Sequence, residues 1–160
     1  MPSFRPTMPE DVPTLLAMTA ETGMFKPIEL GTLSELFCDY FAHDDVDGHR
    51  CICLCDESRI LGYAYFGPEK MTQDSWCLYW IVTSKQHQSQ GIGTAILRHV
   101  ESEIRSAGGR PLFVETSSLP HYEPTRRFYL KHQYEQEAVL RDYYSQGDHK
   151  VVFRKDLTQW

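Results

Sequence analysis

The chain is short of positive charge. Lysine and arginine total 16 against 22 aspartates and glutamates, a formal net charge of −6. Generic nucleic-acid binding needs a positive field that displaces counterions, so this balance argues against it. A cationic partner suits it better, although net charge biases encounter without choosing chemistry. Long apolar runs are also missing: none approaches the roughly 20 residues that cross a bilayer. The opening Met1-Pro-Ser-Phe-Arg-Pro-Thr7 lacks the apolar stretch of a signal peptide. No membrane association is expected, and the expected location is cytoplasmic. Repeats, low-complexity tracts and linkers are absent from the sequence. Residues 1–160 therefore read as one domain. A chain of this size buries about two-thirds of its unfolded surface and needs no disulfide or metal to fold.

Cysteine is present in an odd number: Cys38, Cys51, Cys53, Cys55 and Cys77. With no secretion signal, that argues against a disulfide framework. Cys51-Ile-Cys-Leu-Cys55 alternates strictly, which places three thiols along one face of a strand. Zinc ligands are usually spaced around a turn and need a fourth partner, so no metal site is expected. A nucleophile elbow of the type G-x-S-x-G is missing as well, which sets a serine or cysteine hydrolase aside.

Among the elements that are there, Phe4–Pro6 suits a short strand. Pro9-Glu-Asp opens a helix with Val12, Leu15, Leu16 and Met18 on its apolar side, ending near Gly23. A second helix is expected over about 28–42. Strands are expected at 50–56, 60–66 and 76–83, with Gly67-Pro68 breaking the second. A helix over 92–107 carries an apolar stripe of Ile92, Ile96, Val100 and Ile104, with Glu101, Glu103 and Arg105 facing elsewhere. A strand at 112–115, a helix from Pro124 to about 132, and strands at 137–144 and 149–155 complete the order. The result, β-α-α-β-β-β-α-β-α-β-β, implies an α/β chain built on a mixed sheet with helices on its faces.

The informative segment is Gln88-Ser-Gln-Gly-Ile-Gly-Thr94, between an apolar strand and an amphipathic helix. Gly91 and Gly93 remove side chains where phosphates could approach the backbone. The first turn of a helix leaves N–H groups unpaired and carries partial positive charge, which makes an anion site. A tight turn with no ligand is the plainer alternative. A Rossmann fingerprint would need glycine at Ile96, and a P-loop would need lysine after Gly93; neither is present.

Gln88-x-x-Gly91-x-Gly93 after Leu78-Tyr-Trp-Ile-Val-Thr83 resembles the acetyl-CoA signature of the GNAT superfamily of N-acetyltransferases. Tyr122-Glu-Pro-Thr-Arg-Arg-Phe-Tyr129 resembles that superfamily's second signature, on the helix after the fifth strand. The likeness spans essentially the whole chain. Ser89, Tyr122 and Gln133-Tyr134 depart from common family residues. The resemblance implies acetyl-CoA as co-substrate and a sheet whose fourth and fifth strands splay apart. It places the pantetheine arm on the backbone of Ile81, Val82 and Thr83. The phosphates would lie on Gln88, Ser89, Gln90, Gly91, Ile92, Gly93 and Thr94, with Tyr122 also at the donor. Tyr129 would stand near the thioester sulfur as general acid, while Phe128 packs on the sheet.

The general base is open. Glu115, at the end of the fifth strand, could face the acceptor or cap the Thr116-Ser-Ser loop; Asp74, His87, His121 and a water chain are further candidates. Tyr143, Tyr144 and Asp148 could wall a cationic acceptor site or form an ordinary hairpin. Arg126 and Arg127 suit solvated surface charge better than phosphate contacts. Cys77 is expected to be buried and inert. The expected activity is direct acetyl transfer to a primary amine in a ternary complex. A small-molecule amine is favoured over a protein acceptor, and a homodimer is compatible with the reading. The rival is a GNAT-like sensor or interaction module that binds acyl-CoA without turnover.

Overall fold

The computed structural model describes residues 1–43 and 47–158. Its elements in chain order are β1 (Ser3–Pro6), α1 (Val12–Glu21), α2 (Pro27–Ala42), β2 (Arg50–Asp56), β3 (Arg59–Pro68) and β4 (Trp76–Thr83). They continue as α3 (Ile92–Ser106), β5 (Pro111–Ser117), α4 (Glu123–Lys131), β6 (Glu135–Ser145) and β7 (Asp148–Asp156). The strands form one sheet in the order β1-β2-β3-β4-β5-β7-β6. Every neighbouring pair is antiparallel except β4 and β5, which are parallel and joined through α3. This is the mixed sheet expected from the element order.

Strand alternation sends side chains to two cores. Ile52, Leu54, Trp76, Leu78, Leu112, Val114 and Phe153 pack with Ile96, Val100 and Ile104 of α3 and Tyr129 of α4. Burying each aliphatic side chain of α3 contributes about 1.5–3 kcal/mol, which holds that helix to the sheet. On the other face, Cys51, Cys53 and Cys55 lie with Tyr63, Leu15, Leu33 and Phe37 beneath α1 and α2. The three thiols share one face as alternation requires, and burial pushes the Cys53 thiol up to about 11. Before α1, the Asp11 carboxylate accepts the Met8 N–H at 2.8 Å and pairs with Arg5 at 2.7 Å, fixing the chain's entry into the helix.

Two expectations are corrected. Gly67-Pro68 does not end β3: Gly67 pairs with Cys77 and Pro68 with Trp76. Proline is tolerated as the last residue of the strand, and glycine is needed because a Cβ at 67 would collide with the His49 ring. Glu101 does not face away from the core. It is buried between α3 and the sheet, where it accepts a 2.7 Å hydrogen bond from the Tyr134 hydroxyl and pairs with Lys155 at 3.1 Å. Smaller differences concern ends: β5 extends through Ser117, and β6 begins at Glu135.

Candidate active site

The site begins where two parallel strands stop pairing. β4 and β5 are matched only at Trp76–Leu112, Cys77–Phe113 and Leu78–Val114. Beyond that point β4 continues on β3 through Ile81, Val82 and Thr83, while β5 continues on β7 through Ser117. The β5-facing backbone of Ile81–Thr83 thus has no strand partner among the described residues. Its polar groups are available to an extended ligand, since a peptide edge binds most readily through unpaired N–H and C=O groups. The register against β3 slips here: Tyr65 faces Trp80 and Phe66 faces Leu78, leaving Tyr79 as an inserted bulge residue. A bulge bends the strand and re-aims side chains.

Directly after β4, a short turn of helix (Lys85–His87) leads into the glycine segment. Ser89 and Gly91 both have left-handed backbones, with φ of 67° and 77°. Gly91 caps α3, and its missing Cβ would have met open space. Ile92, Gly93 and Thr94 supply the first N–H groups of α3. Gly93 lies in ordinary contact distance of Phe128 and Thr83, 3.5 Å from each to an added Cβ, which ties the turn to α4 and to the end of β4. The Thr94 hydroxyl and His132 Nε2 are 3.1 Å apart, placing an imidazole beside this helix start. The turn fits a pyrophosphate: it is exposed, small at its apex, and bordered by main-chain donors.

Below the opening lies Tyr129, buried and packed against Tyr134 and Phe153 at ring distances of 5.5 and 5.8 Å. Burial, and then the nearby Cys77, raises its phenol well above the ordinary range. Among the described residues its hydroxyl has no hydrogen-bond partner. Cys77 is 4% exposed and its thiol is likewise raised, chiefly by burial. The thiol is therefore protonated and inert, as its strand position implied.

Above the opening, on the α1–α2 side of the sheet, is an acidic mouth. Glu115 is paired with Lys150 at 3.1 Å, and the Lys150 ammonium stands 3.6 Å over the Tyr143 ring. Burial works against that cation, yet the hydrogen bonds with Tyr143 and Glu115 outweigh it and raise the ammonium's pKa. Tyr143 and Tyr144 project because four residues of β6, Arg141–Tyr144, oppose His149 alone between the Leu140–Lys150 and Ser145–Asp148 pairs. Asp148 is buried and accepts a hydrogen bond from Ser117 Oγ. Tyr122 donates to the Met24 carbonyl at 2.8 Å, and burial pushes its phenol up to about 12. That bond pins the α1–α2 connection against the start of α4. In the same connection, Phe25 packs on Trp80 at 5.0 Å.

The structure thus gathers the expected residues into two groups. Ile81–Thr83 and Gln88–Thr94 are adjacent, with Thr83 in contact distance of Gly93. Glu115, Tyr143, Tyr144 and Asp148 border the mouth, and Tyr122 lies near Tyr144 and Asp148. Of the other candidate bases, Asp74 is bound to Arg110 at 2.6 Å, and His121 stacks beside Tyr122 at 4.5 Å. His87 Nδ1 is buried without a partner. Arg126 donates to the Ser117 and Leu119 carbonyls, holding the end of β5, while Arg127 pairs with Glu123 on the surface. Sequence reasoning missed Glu69, whose carboxylate accepts the Tyr79 hydroxyl at 2.7 Å beside Cys77, as well as Lys150 and His132. Glu69 was hidden by the apparent strand break before it, and Lys150 by its regular place in β7.

The model of the acetyltransferase (GNAT) domain matches residues 47–136. A GNAT-family protein from Desulfovibrio desulfuricans is 34% identical, with a TM-score of 0.94 over 98% of this chain and 99% of that one. An aminoglycoside 6'-N-acetyltransferase complexed with coenzyme A is 17% identical, with a TM-score of 0.77 over 97% of each chain. The ribosomal-protein-S18-alanine N-acetyltransferase of Escherichia coli is 17% identical, with a TM-score of 0.73 over 98% of this chain and 94% of that one. These last two show likeness of fold. Comparison with curated proteins finds no match. With a parted β4–β5 pair, an open glycine turn, a matching domain model and a relative of the same fold at 34% identity, the chain belongs to the GNAT family of acetyl-CoA-dependent N-acetyltransferases.

Proposed function

We propose that this acetyltransferase moves the acetyl group directly to a primary amine of a small, multiply cationic molecule, within a ternary complex of protein, acetyl-CoA and acceptor. One observation carries the reading: the parted strands separate Tyr129, below, from a mouth of tyrosines and carboxylates, above. A thioester lying in the gap would present its sulfur to the phenol and its carbonyl to the mouth. Ile81, Val82 and Thr83 would hold the pantetheine by main-chain bonds, and Gln88–Thr94 would hold the pyrophosphate. A phenol is protonated at neutral pH, so Tyr129 holds a proton for the thiolate as it forms; burial makes it a weaker acid than a free phenol, and the transfer waits on the thiolate's charge. The mouth offers Glu69, Glu115 and Asp148 with Tyr79, Tyr143 and Tyr144, and only Lys150 among its named residues opposes them. Carboxylates and aromatic faces recognise ammonium groups. The aminoglycoside acetyltransferases that share the fold act on molecules of this charge class.

Acetyl-CoA-dependent thiol release with kanamycin, spermidine, lysine and an alanine-terminated peptide tests the proposal. Kanamycin or spermidine should turn over fastest. A peptide turned over tenfold faster would replace the small-molecule reading, and thermal stabilisation by acetyl-CoA with no release would favour a binding module. Tyr129→Phe should lower kcat by about 100-fold, the usual weight of a positioned acid. Its affinity for acetyl-CoA, measured by calorimetry, should not change. Unchanged kcat would remove the acid from Tyr129.

A further inference from the structure

The mouth holds two carboxylates near Cys77, and they are not equivalent. Both act on the Cys77 thiol, Glu115 from β5 and Glu69 from the segment after β3. Glu115 is committed to Lys150 at 3.1 Å, and that ammonium lies over Tyr143. A carboxylate already neutralised by a lysine is a poor destination for another proton. Among the described residues Glu69 has no cationic partner within ion-pair distance; its neighbour Lys70 binds Asp47 at 3.1 Å. Instead Glu69 Oε1 accepts the Tyr79 hydroxyl at 2.7 Å, which leaves its second oxygen free of that bond.

Tyr79 can reach Glu69 because it is the inserted residue of the β4 bulge, next to the last β4–β5 pair at Leu78–Val114. Its ring is braced from behind by His49 and Tyr65, at 5.4 and 6.1 Å, and His49 Nδ1 lies 2.7 Å from the Tyr65 hydroxyl. The bulge that bends the strand thus also aims a phenol that orients one carboxylate beside Cys77.

We propose that Glu69 is the catalytic base that takes the acceptor's proton, and that Tyr79 is the positioning residue that holds it over the strand opening. The inference rests on the transfer reaction proposed above. The acceptor ammonium's N–H bond breaks and its proton goes to Glu69. The freed lone pair forms the C–N bond to the acetyl carbon, and the C–S bond breaks. The thiolate takes the Tyr129 proton, the second N–H proton returns to that phenol as the amide forms, and Glu69 releases its proton to water. One proton is released per turnover. The titratable and charged groups facing Glu69 are Cys77 and Tyr79 from β4, His49 and Lys70 from the flanking loops, and Glu115 across the opening.

The test compares wild type, Glu69→Gln, Glu69→Asp, Tyr79→Phe and Glu115→Gln with acetyl-CoA and kanamycin, across pH 6 to 9.5. Glu69→Gln should lose about 100-fold in kcat at pH 7, with acetyl-CoA affinity unchanged. Its kcat/KM should then climb about tenfold per pH unit, because only the free-base amine remains reactive. Glu69→Asp should recover part of the rate, and Tyr79→Phe should lower kcat several-fold with both KM values unchanged. Glu115→Gln should keep the wild-type pH profile and alter KM. Overturning results are a Glu69→Gln variant within twofold of wild type whose kcat/KM lacks that climb with pH, or the climb appearing in Glu115→Gln instead. If wild type binds acetyl-CoA and releases no thiol with any amine, the transferase reading falls and the base falls with it. An active wild type with an unaffected Glu69→Gln removes the base alone.

Discussion

The Tyr134 hydroxyl donates a 2.7 Å hydrogen bond to Glu101, a carboxylate only 4% exposed in the middle of α3. Lys155 of β7 closes the group at 3.1 Å. Glu101 sits one position after Val100 on the helix that begins at the glycine turn, so the triad fastens that helix to β7 and to the chain leaving α4. A buried pair is destabilised most by losing one partner, because the other charge is left without compensation. Glu101→Ala should therefore cost about 3–5 kcal/mol of unfolding free energy. Tyr134→Phe, which removes one bond to a charged acceptor, should cost about 1.5–3 kcal/mol. Urea denaturation with an unchanged slope is the measurement. A cost under about 0.5 kcal/mol for Glu101→Ala would mean that the group is solvated in practice.

Gly91 has φ of 77° and its missing Cβ faces open space. A side chain there meets backbone strain in the free protein and steric conflict only with a bound phosphate. Gly91→Val should lower acetyl-CoA affinity by at least about tenfold while costing about 1–2 kcal/mol of stability. Ser89, at φ of 67°, is already in the conformation that glycine adopts without strain. Ser89→Gly should retain binding and gain a few tenths to about 1 kcal/mol of stability, less the entropy that glycine loses on folding. Full affinity in Gly91→Val, read by calorimetry, would move the phosphate site elsewhere.

The sequence made some of this legible and hid the rest for identifiable reasons. Period-3.6 spacing marked α3, and alternation marked β2 and its row of thiols, because both signals are local. The glycine turn was legible as a turn for the same reason: its left-handed backbone and missing side chains belong to one short segment. Glu101 was misplaced because a charge in a helix is read as solvated unless its partners are known. Its partners, Tyr134 and Lys155, come from 33 and 54 residues away. Glu69 and Tyr79 become a pair only through a register slip between β3 and β4, and nothing in either strand's alternation encodes a single inserted residue. The outward throw of Tyr143 and Tyr144 likewise depends on four residues facing one across a hairpin, whereas the turn residues alone suggest a regular one.

His132 links stability to donor binding. Burial, followed by the charges of Lys131 and Arg98, lowers its imidazole below the ordinary 6.5. An unfolded chain takes up this proton near pH 6.5, and the folded chain only at lower pH. The unfolded state then binds more protons, so the stabilising contribution is complete above about 6.5 and is lost as pH falls from there through the folded pKa. His49, lowered chiefly by burial, adds a contribution of the same sign. His132 lies 3.1 Å from Thr94 at the start of α3, so a pyrophosphate on that helix end would pull its pKa back up. Binding would then take up a proton, and acetyl-CoA should bind more tightly as pH falls, by at most about tenfold per pH unit for one such group. A terminal phosphate on the ligand titrates in the same range, so the comparison is between wild type and His132→Gln, which can keep the Thr94 bond. Calorimetry in two buffers of different ionisation enthalpy should show extra proton uptake in wild type below about pH 6.5 and its loss in the variant. Equal uptake in both proteins would separate the imidazole from the phosphate site.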